Sequence, residues 1–244
     1  MSLSMQVNHI SPLLLTLLLL PAMFGAAQVF LPPKTARVIW VTSDEAELVP
    51  FPEAALPRPV TALCTKHLAT LKDELEQYAT AKLLNIMCAR ELLERLFLVA
   101  SELCGSVRVA AAHPGHVGTE LGRKDMEGNI VWSEAAAFGK WNDIIPRTPE
   151  EGAKTVLLVA SYEGRQIWGQ EGYSNDIRSM PVFENMQIMS AYPQLAQSSD
   201  LRKKVWVDTL RLMGLKDGKV RKTIEISPGQ VVSSSMVWGV VPIS

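Results

Sequence analysis

A tyrosine and a lysine stand four residues apart in the segment Gln77-Tyr78-Ala79-Thr80-Ala81-Lys82. The surrounding pattern predicts a helix, so both side chains should lie on one face, one turn apart. A phenol with its ordinary pKa of about 10 is a poor acid or base near neutral pH. Because a neighbouring ammonium favours the phenolate, we expect Lys82 to bring the pKa of Tyr78 down towards the working range. Such a pair could move a proton to or from a carbonyl oxygen.

The pair also has a simpler interpretation, since tyrosine and lysine at this spacing often mean only a lysine stem lying beside a half-buried ring. The order of the other polar residues favours chemistry. Ser43 follows the end of one predicted buried strand, and His113-Pro114-Gly115 follows the end of another. Ligands of an open parallel sheet bind outside the carboxyl ends of its strands. Both segments are therefore expected to border the same crevice as Tyr78.

Two helices and two strands must position these residues. The first predicted strand is a short run of β-branched and aromatic residues without polar alternation, which is typical of a strand covered on both faces, and the second follows as another buried strand. A helix between two such strands predicts a parallel pair with a right-handed crossover, and hence an α/β fold. The predicted elements are a helix from Met5 to Ala27, a strand from Arg37 to Thr42, a helix from Asp73 to Leu103 and a strand from Val107 to Ala112.

Weaker patterns complete the expected organisation. Thr148-Pro149-Glu150-Glu151 is a capping box with proline at the first helical position, so a helix should run from there through Val159. The remaining predictions are a turn at Pro32-Pro33-Lys34, a loop from Asp44 to Lys72 with one short helix, a helix at Ser133 to Lys140, a strand at Gln166 to Tyr173 and an amphipathic helix that Ser199 caps and that runs through Leu215, with Gly214 near its end.

Composition narrows the class of partner. The chain has 244 residues, and its 24 Lys and Arg against 25 Asp and Glu give a net charge of -1. This balance gives no electrostatic reason to expect nucleic acid or an acidic membrane surface, so a small molecule is the expected partner. Three cysteines, Cys64, Cys88 and Cys104, form no metal-binding spacing and indicate reduced thiols in the cytoplasm.

An uncharged run from Leu13 to Leu31 is about as long as a bilayer is thick, which raises the alternatives of a signal peptide or membrane anchor. No Lys or Arg precedes Lys34, so the positive flank of such segments is missing, and Pro21 and Gly25 interrupt the run. We favour a helix buried at a core or subunit interface, with peripheral membrane contact as the alternative.

Four motifs in order resemble the short-chain dehydrogenase/reductase family, and most closely its retinol-dehydrogenase-like and fungal members. The resemblance spans about Val7 to Leu121 and becomes general as far as Leu215, so we expect one α/β domain over residues 1–215, the carboxyl part of a Rossmann-like fold, and a tail of unknown role over residues 216–244. The motifs are Val7-Asn8-His9 opening a Leu-rich helix, Arg37 to Ser43, Tyr78 to Lys82, and Pro114-Gly115-His116-Val117-Gly118-Thr119.

The resemblance implies roles for individual residues. Tyr78 would donate the proton to a substrate carbonyl, and Ser43 would hydrogen-bond the same oxygen. Lys82 would lower the pKa of the tyrosine and hold the nicotinamide ribose, while Asn8 would hold a water in the proton relay. The hydride would come from the cofactor.

Cofactor contacts follow from the same resemblance. Val117 and Thr119 fall where the family contacts the nicotinamide half of the cofactor, and Tyr78, Lys82 and Asn8 also face it. The family resemblance favours NADP, with NAD as the alternative. His113 and His116 lack a carboxylate or cysteine to complete a metal set, so we expect no metal and two surface histidines on a loop.

The family's Thr-Gly-x-x-x-Gly-x-Gly turn and its Asn-Asn-Ala-Gly strand occur nowhere in this sequence. The chain is therefore expected to be incomplete at its amino end, with the strand at Arg37 exposing an edge that the tail, a second subunit or a longer amino end would cover. His113 stands where the family usually has asparagine.

Two functions remain open at this stage. The first is an NADP(H)-dependent oxidoreductase that interconverts a carbonyl and an alcohol on a lipophilic or secondary-metabolite-like molecule. The second is a catalytically impaired remnant that acts, if at all, by pairing with a complete subunit. Self-association into a homo-oligomer is expected under either hypothesis.

Overall fold

The computed structural model describes residues 2–29, 35–47, 49–99, 107–117, 146–161, 180–184, 186–189, 193–218 and 220. Four strands form one sheet in the order β1-β2-β3-β4, in which β1, β2 and β3 are parallel and β4 is antiparallel to β3. The predicted α/β class and the parallel pairing of the first two strands are therefore confirmed. The strands are β1 (Ala36–Val41), β2 (Val107–His113), β3 (Val182–Glu184) and β4 (Gln187–Ile188).

Six helices surround this sheet within the described residues. Helix α1 begins with a turn at Leu3–Met5, widens to a π-helical turn at Gln6–Ile10 and continues as an α-helix over Ser11–Val29. The others are α2 (Pro59–Thr65), α3 (Leu71–Val99), α4 (Pro149–Ser161), α5 (Gln194–Gln197) and α6 (Ser199–Leu212), and short 3-10 turns lie at Asp44–Ala46 and Pro52–Ala55.

The sheet is covered on both faces, as its unbroken apolar strands predict. Helices α1 and α3 pack on one face, where Val38 and Trp40 of β1 join the main core. Helix α4 packs on the other face, where Ile39 of β1 meets Val159 in a second cluster. The two faces alternate along β1 because successive side chains of a strand point to opposite sides. Among the described residues β1 pairs only with β2, so its outer edge carries no strand there.

Helix α1, expected to be buried at a core or subunit interface, buries one side within the chain. One face packs into the core through residues such as Leu13 and Leu17, which are almost fully buried. Leu15, Leu18 and Leu19 on the outer side are 44–58% exposed. Leu3–Ala27 is long and apolar enough to cross a membrane by length and composition alone, and a third of its most apolar window is buried.

The capping box that predicts α4 is present. The Thr148 hydroxyl accepts from the Glu151 amide (3.2 Å), and the Glu151 carboxylate accepts from the Thr148 amide (3.0 Å). The predicted cap of α6 was wrong by one residue, because the Ser198 hydroxyl accepts from the Leu201 amide at 3.3 Å. Helix α6 ends at Leu212 rather than Leu215.

Helix α6 forms hydrogen bonds with α2, which lies about 150 residues earlier in the sequence. Its buried Asp208 accepts from the amides of Val60 and Thr61 at 2.9 and 2.8 Å and from the Thr61 hydroxyl at 2.8 Å. A carboxylate at the amino end of α2 satisfies amides that have no partner within that helix. Beyond the expected domain limit at Leu215, Asp217 bonds to Arg95 of α3 at 2.6 Å.

Several expected features lie outside the described residues. They are the turn at Pro32-Pro33-Lys34, the helix at Ser133 to Lys140, the strand at Gln166 to Tyr173, and the residues Cys104 and Thr119. Strands β3 and β4 were not predicted, because they are only three and two residues long.

Candidate active site

Helix α3 places Tyr78 and Lys82 at the carboxyl end of β1. The Lys82 ammonium donates to the main-chain carbonyl of Val41 at 3.1 Å, and the Thr42 hydroxyl donates to the carbonyl of Lys82 at 3.3 Å. The ammonium nitrogen lies 5.3 Å from the centroid of the Tyr78 ring, within cation-π range. The helix and the end of the strand thus hold the lysine in place between them.

The pKa of Tyr78 is raised in this chain, not lowered as expected. Burial raises the pKa of Tyr78 above its ordinary value, and the nearby carboxylates of Glu45 and Asp44 raise it further. Burial also lowers the pKa of Lys82 below its ordinary value. Tyr78 is therefore protonated at neutral pH, the state required of a proton donor.

Ser43 follows β1 and caps the 3-10 turn at Asp44–Ala46. Its hydroxyl oxygen accepts from the amide of Glu45 at 3.4 Å, while its hydrogen is donated to Oδ1 of Asp44 at 3.1 Å. The Glu45 amide also donates to the same Oδ1 atom at 3.0 Å. The serine thus lies beside the carboxylates that act on Tyr78, with its hydroxyl hydrogen directed at Asp44.

His113 corrects the expectation of a loop-surface histidine. It is the last residue of β2, is only 5% exposed, and its Nε2 atom lies 3.5 Å from Oδ1 of Asp44 and 3.8 Å from Oε1 of Glu184. The amide of Gly115 donates to its Nδ1 atom at 3.4 Å, so the neutral ring carries its hydrogen on Nε2, facing the two carboxylates. Gly115 makes this approach at a φ of 82°, which favours glycine.

Ser43 and His113 line a small crevice at the carboxyl ends of the strands. Its walls combine apolar side chains with a few polar groups, which is usual for a small-molecule site. The full lining is Thr42, Ser43, Asp44, Glu47, Ile86, His113, Val182, Met189 and Pro193.

Asn8 lies in the π-helical turn of α1 and contacts α3 through Asn85, which shares a helical face with Tyr78 and Lys82. Its main-chain carbonyl accepts from the side-chain amide of Asn85 at 2.8 Å, and its own amide group donates to the Ser4 carbonyl at 3.1 Å. Asn85 is three residues beyond Lys82 on the same helix. The helix that carries Tyr78 and Lys82 therefore also holds the main chain of Asn8. Ser43 follows the end of β1, against which the same helix packs.

Val117 lies against the start of helix α4. It pairs with Arg147 in an isolated parallel bridge, and the side chain of Arg147 also lies against Gly115. A Cβ atom on Gly152 would stand 2.4 Å from a methyl of Val117, so this close approach requires glycine. Lys82, against the end of β1, and Val117, four residues after the end of β2, thus both lie at the carboxyl ends of parallel strands.

Three site residues were missed from the sequence: Asp44, Asn85 and Glu184. A polar amide between Leu84 and Ile86 on an apolar helix was the available signal for Asn85. Asp44 was visible only as a loop residue. Among the described residues, no group of three or more His, Cys, Asp or Glu could hold a metal, and Cys64 and Cys88 are free and buried.

Comparison with known proteins decides the family. The chain is 31% identical over 219 residues, 89% of its length, to the human dehydrogenase/reductase SDR family member 13. This chain belongs to the short-chain dehydrogenase/reductase family. The bovine counterpart is 30% identical over 220 residues, and the short chain dehydrogenase sol3 of Alternaria solani is 31% identical over 159 residues, 65% of this chain.

The match covers only part of each relative. The chain spans about half the length of the curated relatives it matches, 48% for both mammalian proteins and the Alternaria dehydrogenase. No family model and no solved structure matches the chain. The shared fold is the α/β arrangement described above, and a nicotinamide cofactor is what the family implies.

Proposed function

We propose that this chain carries the catalytic part of an NADP(H)-dependent short-chain oxidoreductase that interconverts a carbonyl and an alcohol. The observation that carries the proposal is the placement of Tyr78 and Lys82 on α3 against the end of β1, beside Ser43. The preference for NADP over NAD follows from the resemblance to retinol-dehydrogenase-like members. The proposal of a lipophilic or secondary-metabolite-like substrate follows from the resemblance to retinol-dehydrogenase-like and fungal members.

The residues present suit the nicotinamide half of the cofactor. An ammonium has three donors, and within the described residues Lys82 uses one, towards the Val41 carbonyl, which leaves donors for ribose hydroxyls. Val117 and Thr119 would contact the nicotinamide. When bound, the cofactor supplies or accepts the hydride. The glycine-rich turn with which the family holds the pyrophosphate does not occur in this sequence.

The protein's own groups supply the proton. In reduction the phenol of Tyr78 donates to the developing alkoxide, which its raised pKa permits because the group is protonated at neutral pH. Ser43 would donate to the same oxygen after its hydroxyl hydrogen turns away from Asp44. Lys82 stabilises the resulting phenolate, and Asn8 orients the relay that returns a proton to Tyr78.

Substitution of Tyr78 tests the assignment. The full chain, with Tyr78→Phe and the control Thr80→Val, is assayed for NADPH consumption with a panel of lipophilic ketones and aldehydes. Within the described residues the Thr80 hydroxyl bonds to the Glu76 carbonyl of its own helix, so it should be dispensable. We expect Tyr78→Phe to reduce turnover by about 10²–10⁴-fold with little change in cofactor affinity. An unchanged rate in Tyr78→Phe would remove Tyr78 from the mechanism.

We further propose a cytoplasmic protein that self-associates or is completed by a second subunit. The exposed leucines of α1, including Leu15 and Leu18, support an association surface. Carbonate extraction separates a soluble protein from one held in a membrane by α1, and sedimentation measures the subunit number.

A further inference from the structure

A buried chain of hydrogen bonds runs from α6 to the main chain of Asn8. His9 and Thr209 are fully buried, and Asn85 is 3% exposed. Nδ1 of His9 lies 3.1 Å from Oδ1 of Asn85, and Nε2 of His9 lies 3.0 Å from Oγ1 of Thr209. The side-chain nitrogen of Asn85 then reaches the Asn8 carbonyl at 2.8 Å.

The position of every hydrogen in this chain follows from donor and acceptor counting. Because the Asn8 carbonyl can only accept, the amide nitrogen of Asn85 faces it and the amide oxygen faces His9. Nδ1 of His9 must therefore carry a hydrogen. Burial lowers the pKa of His9 to about 4, so the ring is neutral near pH 7 and Nε2 accepts.

Thr209 is the first donor in this chain of hydrogen bonds. Its single hydroxyl hydrogen can go to the Val205 carbonyl, 2.8 Å away, to the Cys88 sulfur or to His9. Since Nε2 of His9 has no hydrogen of its own, only donation from Thr209 satisfies it. The bonds then point one way, from Thr209 to His9 to Asn85 to Asn8, and such chains strengthen each member.

The chain of hydrogen bonds ends at Asn8, inside a π-helical turn of α1. A π-helical turn at Gln6–Ile10 departs from the i to i−4 pattern around Asn8, and such turns often occur at functional sites. The bond from Asn85 fixes the Asn8 carbonyl on α3, three residues beyond Lys82. The partner that fixes Asn8 is thus on the helix of the candidate proton donor.

We propose that Asn85 is a positioning residue for Asn8, and that His9 and Thr209 act through it, so that helix α6 sets the geometry of the proton relay. This inference rests on the proposed function of Asn8. None of the three residues is assigned a contact with substrate. Thr209 is the most informative of them because it is farthest along the chain of bonds from the relay.

The test compares Thr209→Val, which keeps the shape but removes the hydroxyl, with Thr209→Ser, which restores it. We expect kcat for carbonyl reduction to fall about threefold to tenfold in Thr209→Val at unchanged KM, and to recover in Thr209→Ser. Asn85→Leu should lower kcat by about tenfold or more. Thr80→Val, which removes another buried hydroxyl, should leave kcat unchanged when all assays are run well below the unfolding temperature.

Nuclear magnetic resonance of the full chain gives a readout that needs no activity. The nitrogen shifts of His9 should show hydrogen on Nδ1 in the wild type, and the Asn8 carbonyl carbon should shift in Asn85→Leu and Thr209→Val but not in Thr80→Val. A hydrogen on Nε2, an unmoved Asn8 carbonyl or an unchanged kcat in Asn85→Leu overturns the proposal. If the wild type reduces no carbonyl, the proposed function fails, and the His9 and Asn8 signals alone decide whether the network positions Asn8.

Discussion

The ammonium nitrogen of Lys82 lies 5.3 Å from the centre of the Tyr78 ring. This separation is close enough for the charge to act on the ring. Burial and the carboxylates of Glu45 and Asp44 nevertheless raise the pKa of Tyr78. The lysine is thus placed to assist a phenolate when one forms, while the resting chain keeps the phenol protonated.

Lys82→Met should therefore reduce both turnover and cofactor binding. The variant keeps the length of the stem but loses the bond to the Val41 carbonyl and the charge beside Tyr78. We expect turnover to fall by about 10²-fold or more. Steady-state kinetics and nucleotide titration measure the two effects. Lys72→Met, at an exposed pair with Glu76 on the same helix, is the control; equal losses in both variants would contradict a specific role for Lys82.

Removing charge from Glu45 should lower the pKa of Tyr78. Glu45→Gln eliminates the larger of the two carboxylate effects that favour the neutral phenol. The alkaline titration of Tyr78, isolated by comparison with Tyr78→Phe in ultraviolet difference spectra, should begin at lower pH. Alcohol oxidation, which needs the phenolate, should then proceed at lower pH than in the wild type. The exposed Glu74→Gln should change neither profile.

The buried His9 predicts a loss of stability in acid. Its folded pKa of about 4 lies below the unfolded value of 6.5, so the unfolded chain takes up the proton more readily between these values. This contribution to stability is complete above pH 6.5 and falls by roughly 3 kcal/mol as the pH drops to 4. Urea unfolding at several pH values measures it. His9→Asn should flatten this dependence, whereas the exposed His67→Asn should keep it.

Gly152→Ala should destabilise the chain by about 1–3 kcal/mol. The added methyl would meet the Val117 side chain at 2.4 Å, so either α4 or the segment after β2 must move. Thermal unfolding measures the loss, and cofactor binding reports whether Val117 is displaced. Gly25→Ala in α1 adds a methyl where no atom lies within 4 Å and should be neutral or slightly stabilising. Similar losses in both would point to helix effects alone.

The sequence predicted the long elements because their residues repeat with clear periods. The strand at Arg37 and the helix through Tyr78 and Lys82 were found within a few residues of their ends. Strands β3 and β4 were not predicted, because segments of three and two residues are too short to show a period. Local pattern placed Tyr78 and Lys82 together, but it could not show which groups surround them.

The tyrosine pKa shows why the site could not be derived in full. Its direction depends on burial and on Glu45 and Asp44, which follow Ser43 and lie over 30 residues away in sequence. His113 was expected at the surface because the following proline and glycine suggest a loop. Its burial depends on the end of β2 lying between Asp44 and Glu184, a tertiary arrangement with no local signature.

The bond between His9 and Thr209 joins residues 200 positions apart, so the order in which the chain is made affects how it folds. His9 is made 200 residues before the residue that satisfies its Nε2 atom. Until α6 has been made, α1 and α3 can meet, but the buried ring lacks one hydrogen bond. Contacts of such long range slow folding and extend the life of partly folded states.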